Sequence, residues 1–277
     1  MRLHETPVLS VKSLVVRYGN GCPLCQENLE KNRCTRCKTI WAANDISLDL
    51  YPGEVLGIVG ESGSGKTTLM RSLYFDHAPT SGSATLRDYE DGAVNLWDAS
   101  PAKQRMIKNN LMGMVYQNPI LGLRMDHSAA ANIAEKLIAA GNRNAGEMTE
   151  RARELLEAVE ILTSRMGEAP KHFSGGMQQR VQIAKALAMH PALLLLDEVT
   201  TGLDLSVQAK VLDLIRKLRA EYGISILLVS HDLAVIRMLA DRTIVMLDGK
   251  IVESGLTDQI LEDPQHPYTQ QLVHSLI

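Results

Sequence analysis

Residues 60–67 read GESGSGKT and match the pattern G-x-x-x-x-G-K-[ST] at every fixed position. The apolar run before them predicts a strand, and the residues from Lys66 onward predict a helix. Glycines at this junction let backbone N–H groups turn inward around a phosphate, and the helix N-terminus adds a favourable dipole. This context disfavours the alternative, a Gly/Ser-rich turn that merely precedes a helix. The residues predicted to bind a nucleoside triphosphate are Gly60, Glu61, Ser62, Gly63, Ser64, Gly65, Lys66, Thr67 and Thr68, with Lys66 on the β- and γ-phosphates and the Thr67 hydroxyl on Mg²⁺.

Two acidic residues end a second apolar run, in which residues 193–198 read LLLLDE. Asp197 at the tip of this predicted strand can hold Mg²⁺, and Glu198 can polarise an attacking water as a general base. Two acids at the end of a buried strand can also be solvent-facing caps. The phosphate loop upstream favours the catalytic interpretation.

The order of strand-like and helix-like segments predicts an α/β protein. Strands alternate with helices after residue 173, which argues for a parallel sheet with crossover helices. We therefore expect a single domain over residues 1–277, whose α/β core comes from the first and last thirds of the chain. Residues 19–42 look like a Cys-rich insert, residues 103–172 like a helical subdomain, and residues 173–277 like the second half of the core with a C-terminal helix.

Composition excludes several classes of protein. The 277 residues are 45% hydrophobic and carry a net charge of −3, so a normal core is expected and no strong nucleic-acid footprint is visible. No apolar run approaches the roughly 18 residues that a membrane-spanning helix needs. Charged residues interrupt positions 1–16, which is not typical of a signal peptide. We therefore expect a cytosolic protein, which would act at a membrane only by binding a partner protein.

All four cysteines lie in the predicted insert, as two C-x-x-C pairs. Such pairs present four thiolates with the geometry of a closed structural Zn²⁺ site, which would stiffen a docking element. Two alternatives stay open at this point: unmetallated thiols in a mobile loop, and a rubredoxin-like iron or an iron–sulfur cluster. The predicted ligands are Cys22, Cys25, Cys34 and Cys37.

Further motifs resemble those of the ATP-binding cassette (ABC) ATPases. Residues 173–180, FSGGMQQR, are similar to the signature motif of that family, although Phe173 replaces the usual Leu and Met177 stands where Gln is commoner. Val199 is a further departure, because the family usually has Pro after the acidic pair. The other matching positions are Gln117 of the Q-loop, Asp204 of the D-loop (residues 201–204, TGLD), the switch histidine His231, and Tyr18, which resembles the aromatic residue that stacks on adenine.

The resemblance covers nearly the whole chain and implies both a fold and a mechanism. The implied fold is a P-loop NTPase cassette with a RecA-like parallel sheet core, an N-terminal antiparallel β subdomain and an inserted α-helical subdomain. It implies an ATPase that closes as a homodimer or heterodimer of cassettes around Mg-ATP. Ser174, Gly175 and Gly176 would then face the γ-phosphate bound by the partner cassette. His231 would contact the γ-phosphate and hold Glu198 and the water in line, and Gln117 would contact Mg²⁺.

Three segments indicate which branch of the ABC ATPase family this sequence resembles most. Residues 263–269, DPQHPYT, resemble the tail of peptide and nickel import ATPases and of the K-subunit group of bacterial carbon–phosphorus lyase systems. Residues 122–135 and 253–258 resemble the K-subunit group, as does the end of the chain at Ile277, soon after the tail motif. That resemblance implies an ATPase docked on soluble carbon–phosphorus lyase core subunits in phosphonate breakdown. The alternative is the nucleotide-binding subunit of an importer with a membrane permease. A nucleic-acid-handling cassette is disfavoured, because the Cys-rich insert lacks interleaved basic and aromatic residues.

Overall fold

The structure is a computed structural model that describes residues 6–274. Residues 1–5 lie outside the described residues, and so does the end of the chain at Ile277. The prediction that positions 1–16 do not form a signal peptide falls partly on those first residues. Two compact units make up the described chain: one contains the residues up to Ser100 and from Leu227 onward, and the other is Pro101–Ile226. Within the described range, no helix is both long and apolar enough to cross a membrane.

Eleven strands and ten α-helices make up the two units over the described residues. The strands are β1 (Leu9–Tyr18), β2 (Leu29–Glu30), β3 (Arg33–Cys34), β4 (Ile40–Leu50), β5 (Val55–Val59), β6 (Ser81–Leu86), β7 (Met112–Val115), β8 (Leu193–Asp197), β9 (Ser225–Val229), β10 (Arg242–Leu247) and β11 (Lys250–Leu256). The α-helices are α1 (Lys66–Leu73), α2 (Pro101–Asn110), α3 (Pro119–Gly122), α4 (Ala129–Ala139), α5 (Ala145–Ala158), α6 (Gly175–Ala186), α7 (Leu205–Tyr222), α8 (Leu233–Leu239), α9 (Thr257–Glu262) and α10 (Pro267–His274).

An antiparallel sheet in the first unit has the strand order β2-β3-β4-β1-β6. Its central pair runs from Leu9 opposite Leu50 to Tyr18 opposite Ile40. Val11 and Leu14 are both buried although their positions differ by three, which breaks the two-residue period of a strand. The break is a register shift at Ser13, which has a positive φ of 49°. This irregularity returns the apolar side chains of β1 to the buried face.

The first unit also contains strands of the second sheet, in the order β11-β10-β5-β9. β5 and β10 are parallel, with Leu56 opposite Arg242 and Val59 opposite Val245, whereas β11 pairs antiparallel with β10. Every residue of β5 is buried. Its sequence, VLGIV, is continuously apolar because both faces of a parallel strand are covered.

The second unit carries the order β9-β8-β7, since the boundary between the units falls inside β9. β7 and β8 are parallel, with Met112 opposite Leu193 and Val115 opposite Leu196. The helices α4, α5 and α6 pack on one another. Ser128 begins α4 by accepting a hydrogen bond from the backbone N–H of Ala131.

The structure confirms the expected α/β architecture, with an N-terminal antiparallel sheet, parallel strands and a helical region. Two details differ from the sequence-based expectation. β7 lies inside residues 103–172, which were expected to be helical, because four residues are too few to display a strand period. The Cys-rich insert ends earlier than residue 42, since β4 already begins at Ile40.

Candidate functional site

The phosphate loop, residues 60–67, joins the buried strand β5 to α1 in the first unit. Gly60 and Gly65 have positive φ values of 148° and 104°, which residues with side chains rarely adopt. A Cβ atom at Gly60 would collide with the carbonyl oxygen of Met246, and one at Gly65 with that of Ala42. Both glycines are therefore required by the backbone conformation and by the close packing around the loop.

Lys66 is buried, and its ammonium group is held by the loop itself. Its Nζ atom donates hydrogen bonds to the carbonyl oxygens of Gly60 (2.7 Å) and Glu61 (2.8 Å). It also lies 3.3 Å from Ser64 Oγ. A positive charge thus sits within a glycine-rich loop that opens a helix, and this combination suits a phosphate group.

Tyr18 ends β1 and keeps 43% of its surface exposed. Its hydroxyl lies 3.3 Å from Thr68 Oγ1 in the first turn of α1, and its ring centroid lies 4.8 Å from that of His77. The tyrosine ring is thereby fixed beside the helix that follows the phosphate loop. An exposed, fixed aromatic ring in this place is suited to stacking on a nucleotide base.

In the second unit, β8 ends at Asp197, which is 5% exposed. Glu198 follows with a positive φ of 48°. The Glu198 Oε2 atom accepts hydrogen bonds from Gln117 Nε2 (3.0 Å) and from Thr201 Oγ1 (3.2 Å). The structure therefore brings together Gln117 and Glu198, which are far apart in the sequence. Val199, the departure from the family pattern, is buried.

The signature residues lie at the start of α6, also in the second unit. Ser174 caps this helix by accepting a hydrogen bond from the Met177 N–H, and both Ser174 and Gly175 are exposed. Gly176 is buried against Val207, into whose side chain a Cβ atom would protrude. The N-terminus of the helix thus presents backbone N–H groups at the surface, as an anion-binding site requires.

Asp204 and His231 each stand next to a helix N-terminus. Asp204 caps α7 by accepting hydrogen bonds from the Val207 N–H (3.0 Å) and from Ser206 Oγ (2.8 Å). The bond from the Val207 N–H is the main reason why the Asp204 pKa is lowered.

His231 is exposed in the first unit, between β9 and α8. The predicted nucleotide-site residues are thus divided between the two units. The first unit contains Tyr18, the phosphate loop and His231, and the second contains Gln117, the signature residues 174–176, Asp197, Glu198 and Asp204.

One residue beside the phosphate loop was missed by the sequence motifs. The hydroxyl of Tyr268 accepts a 2.7 Å hydrogen bond from the backbone N–H of Glu61. Tyr268 belongs to the DPQHPYT segment, whose family resemblance assigns this residue no role. Because 207 residues separate the two partners, no local pattern could have revealed the contact.

The four cysteine sulfurs form one cluster, in which all Sγ atoms lie within 4.8 Å of one another. Cys25 Sγ lies 3.6 Å from Cys22 Sγ and 3.4 Å from Cys37 Sγ, and the Cys22–Cys34 distance is 3.9 Å. A tetrahedral ion with metal–sulfur bonds of about 2.3 Å places its sulfurs about 3.8 Å apart, whereas a disulfide needs about 2.05 Å. The side chains therefore fit one tetrahedral metal ion.

The insert that carries the cluster is a small folded element. Its strands β2 and β3 pair antiparallel, with Leu29 opposite Cys34. Cys25 and Cys34 are buried together with Trp41 at the start of β4. Hydrogen bonds with Thr39 lower the pKa of Cys37 to about 6. A lowered pKa favours the thiolate, the form of cysteine that binds metal.

Comparison with known proteins identifies the class to which this chain belongs. The profile of the ABC transporter family matches residues 43–201. The putative phosphonates utilization ATP-binding protein PhnK of Escherichia coli (strain K12) is 50% identical over 84% of this chain and 91% of its own length. A putative peptide import ATP-binding protein of Brucella melitensis biotype 1 is 40% identical over 87% of this chain and 74% of its own. The chain belongs to the ABC transporter family and is an ATP-binding cassette ATPase.

Solved structures agree with this assignment. The ATP-binding cassette MJ0796, a dimer in a post-hydrolysis state bound to ADP and Pi, has a TM-score of 0.75 and 28% identity. The match covers 90% of this chain and 98% of that one. The cbiO1 protein from Clostridium perfringens, part of the ABC transporter complex cbiONQ, has a TM-score of 0.76 at 23% identity and supports the fold alone.

Proposed function

We propose that this ATPase serves a phosphonate-utilization system and docks on the soluble core of a carbon–phosphorus lyase. The observation that carries the proposal is the 50% identity to the E. coli protein named for phosphonate utilization, over 91% of that protein's length. The resemblance of residues 122–135 and 253–258 to the K-subunit group supports it. In this proposal, ATP turnover opens, closes or resets the lyase core, and another subunit cleaves the carbon–phosphorus bond.

For nucleotide binding, we propose that the residues of the first unit hold ATP. Tyr18 stacks on the adenine ring. The N–H groups of residues 60–67 and the Lys66 ammonium hold the phosphates, and Thr67 and Thr68 complete the binding turn. The proposal is supported by the positive charge of Lys66 within the glycine-rich loop and by the exposed ring of Tyr18.

For hydrolysis, we propose that Glu198 takes the proton of the attacking water. Its carboxylate is oriented by Gln117 at 3.0 Å and by Thr201 at 3.2 Å, which supports a role that needs a defined direction. His231 holds the γ-phosphate and the water in line. Thr67, Gln117 and Asp197 are hydroxyl, amide and carboxylate groups, the oxygen donors that Mg²⁺ prefers. An Mg²⁺ ion held by these residues would offset the charge of the phosphates.

We further propose that two cassettes complete each nucleotide site, as a homodimer or a heterodimer. Ser174 and Gly175 are exposed at the N-terminus of α6, where backbone N–H groups can face a phosphate held by the partner. The D-loop residue Asp204 belongs to the same proposed surface, and Gly176 follows Gly175 in the first turn of α6. The dimeric form of the structural relative MJ0796 supports this arrangement.

For the cysteine cluster, we propose one structural Zn²⁺ per chain. Three sulfur–sulfur distances of 3.4–3.9 Å, with all four sulfurs within 4.8 Å of one another, suit a tetrahedral ion. Cys₄ coordination leaves no open position for catalysis. The insert then acts as a stiff docking element for a partner protein. Its place outside the nucleotide-binding elements of the first unit supports a role in assembly and not in ATP chemistry.

A second candidate function is import of a peptide or of nickel with a membrane permease. It is favoured by the 40% identity to the putative peptide import protein of Brucella melitensis biotype 1. Growth separates the two candidates. A strain of the source organism that lacks this gene is complemented with the wild-type gene or with the Lys66→Ala variant, and grown on methylphosphonate or on phosphate as the phosphorus source.

We expect the wild-type gene to restore growth on methylphosphonate, Lys66→Ala to fail, and all strains to grow on phosphate. Uptake of a labelled dipeptide and of nickel should be the same in all strains. Normal growth of the deletion strain on methylphosphonate, together with lost dipeptide or nickel uptake, would overturn the phosphonate proposal in favour of the importer.

A further inference from the structure

The segment before α10 is held in place by an acidic residue of β11. The Glu253 carboxylate accepts hydrogen bonds from the backbone N–H groups of Gln265 (2.8 Å) and His266 (3.0 Å). His266 Nδ1 in turn accepts a hydrogen bond from the backbone N–H of Tyr268 at 3.2 Å. Glu253 and His266 thus fix the start of α10, and with it the position of the Tyr268 side chain.

Tyr268 reaches from this helix to the phosphate loop within the first unit. Its partly buried hydroxyl accepts a 2.7 Å hydrogen bond from the Glu61 N–H. That N–H belongs to the peptide group between Gly60 and Glu61. The carbonyl oxygen of the same peptide group accepts a 2.7 Å hydrogen bond from Lys66 Nζ. One peptide group is therefore held at both ends, by Tyr268 at its N–H and by Lys66 at its oxygen.

This peptide group would otherwise be free to rotate. Gly60 has a φ of 148°, a conformation open to glycine, and glycine imposes little restriction on the peptide that follows it. Rotation would remove the carbonyl oxygen that orients the Lys66 ammonium. The hydrogen bond from the Glu61 N–H to the Tyr268 hydroxyl opposes this rotation from outside the phosphate-binding motif.

We propose that Tyr268 is a positioning residue of the nucleotide site. It fixes the Gly60–Glu61 peptide group and thereby sets the direction of the Lys66 ammonium before ATP binds. The inference rests on the proposed role of Lys66 in phosphate binding. It also gives the DPQHPYT segment a physical role, because Glu253 and His266 orient Tyr268, and Tyr268 orients the loop.

The test is Tyr268→Phe, which removes the hydroxyl oxygen and keeps the ring. A single net hydrogen bond contributes about 0.5–1.5 kcal/mol, so the KM for ATP should rise about 2- to 12-fold. The kcat should change less than about twofold, because bound phosphates restore the loop. Tyr51→Phe is the matched control, since the Tyr51 ring packs against Arg242 and lies outside the proposed site.

Two further measurements separate positioning from a loss of folding. Hydrogen exchange at the Glu61 amide should be faster in Tyr268→Phe, while the melting temperature without nucleotide stays at the wild-type value. Glu253→Ala should also raise the KM for ATP, as Tyr268→Phe does. Its effect should largely disappear in the Tyr268→Phe background, because both changes act through one hydrogen bond.

The Lys66→Ala variant separates failure of the phosphate-site assignment from failure of the role proposed for Tyr268. Normal ATP binding by Lys66→Ala would overturn the assignment of the phosphate site itself. Loss of binding in Lys66→Ala, combined with an unchanged KM and unchanged Glu61 exchange in Tyr268→Phe, would overturn the role of Tyr268 alone. Additive effects of Glu253→Ala and Tyr268→Phe would show that Glu253 does not act through Tyr268.

Discussion

Replacement of a single cysteine tests the proposed zinc site most directly. Cys34 is fully buried against Trp41, whereas Cys37 is exposed, so the two offer the same ligand in different surroundings. A structural Zn²⁺ site binds with an apparent free energy of about 10–16 kcal/mol. An equal share for each of four thiolates is about 2.5–4 kcal/mol, so loss of one should lower zinc affinity roughly 70- to 900-fold.

We therefore expect Cys34→Ser and Cys37→Ser to lose zinc alike. Protein purified without added zinc should contain about one equivalent in the wild type and much less in either variant, as measured by elemental analysis and chelator competition. Cys34→Ser should also lower the melting temperature further than Cys37→Ser, because its hydroxyl is buried in an apolar cluster. Arg36→Ala, an exposed non-ligand between Cys34 and Cys37, is the control and should keep its zinc.

The KM for ATP should stay within about twofold in Cys37→Ser, because the ring and hydroxyl contacts of Tyr18 to His77 and Thr68 lie outside the insert. Absence of metal from the wild type, with freely reactive thiols, would rule out the zinc site. Iron in place of zinc would refute the choice of metal. A large rise in the KM of Cys37→Ser would show that the insert supports Tyr18.

Three other predictions concern ATP turnover. Lys66→Ala should lose ATP binding and hydrolysis in a nucleotide titration and a phosphate-release assay; normal activity would refute the assignment of the phosphate loop. Glu198→Gln should keep ATP affinity, slow hydrolysis by orders of magnitude and accumulate an ATP-bound dimer visible by light scattering, whereas a wild-type rate would exclude Glu198 as the base. A mixture of Ser174→Arg and Lys66→Ala chains should regain at most one working site per dimer. Full activity per chain in that mixture would show that each cassette works alone.

The sequence predicted the fold best where the pattern was local. The phosphate loop, the start of α1 at Lys66 and the buried strand before it follow from glycine spacing and from apolar runs. β7 was missed because its four residues, MGMV, acquire their strand conformation by parallel pairing with β8, far away in the chain. The Gln117–Glu198 hydrogen bond joins positions 81 residues apart, so their proposed roles came from family resemblance and their proximity only from the structure.

For the cysteine cluster too, the sequence predicted the residues involved, whereas only the structure gives their geometry. Two C-x-x-C pairs predicted which four side chains meet. The sulfur–sulfur distances, which favour a single tetrahedral ion, depend on the β2–β3 hairpin and on burial beside Trp41. The Tyr268–Glu61 contact could not be predicted from the sequence, because it depends on how β11 and α10 pack within the first unit.

The pairing of Tyr18 with Ile40 has a consequence for how this chain can change over evolution. The insert begins after β1 and ends before β4, at neighbouring points of the antiparallel sheet, so the pairing of these two strands already joins its two ends. A short turn can replace such an excursion, or a longer one can be added, without altering the register of β1 and β4. The Cys-rich element is in this sense a module whose length can change while Tyr18 stays paired with Ile40.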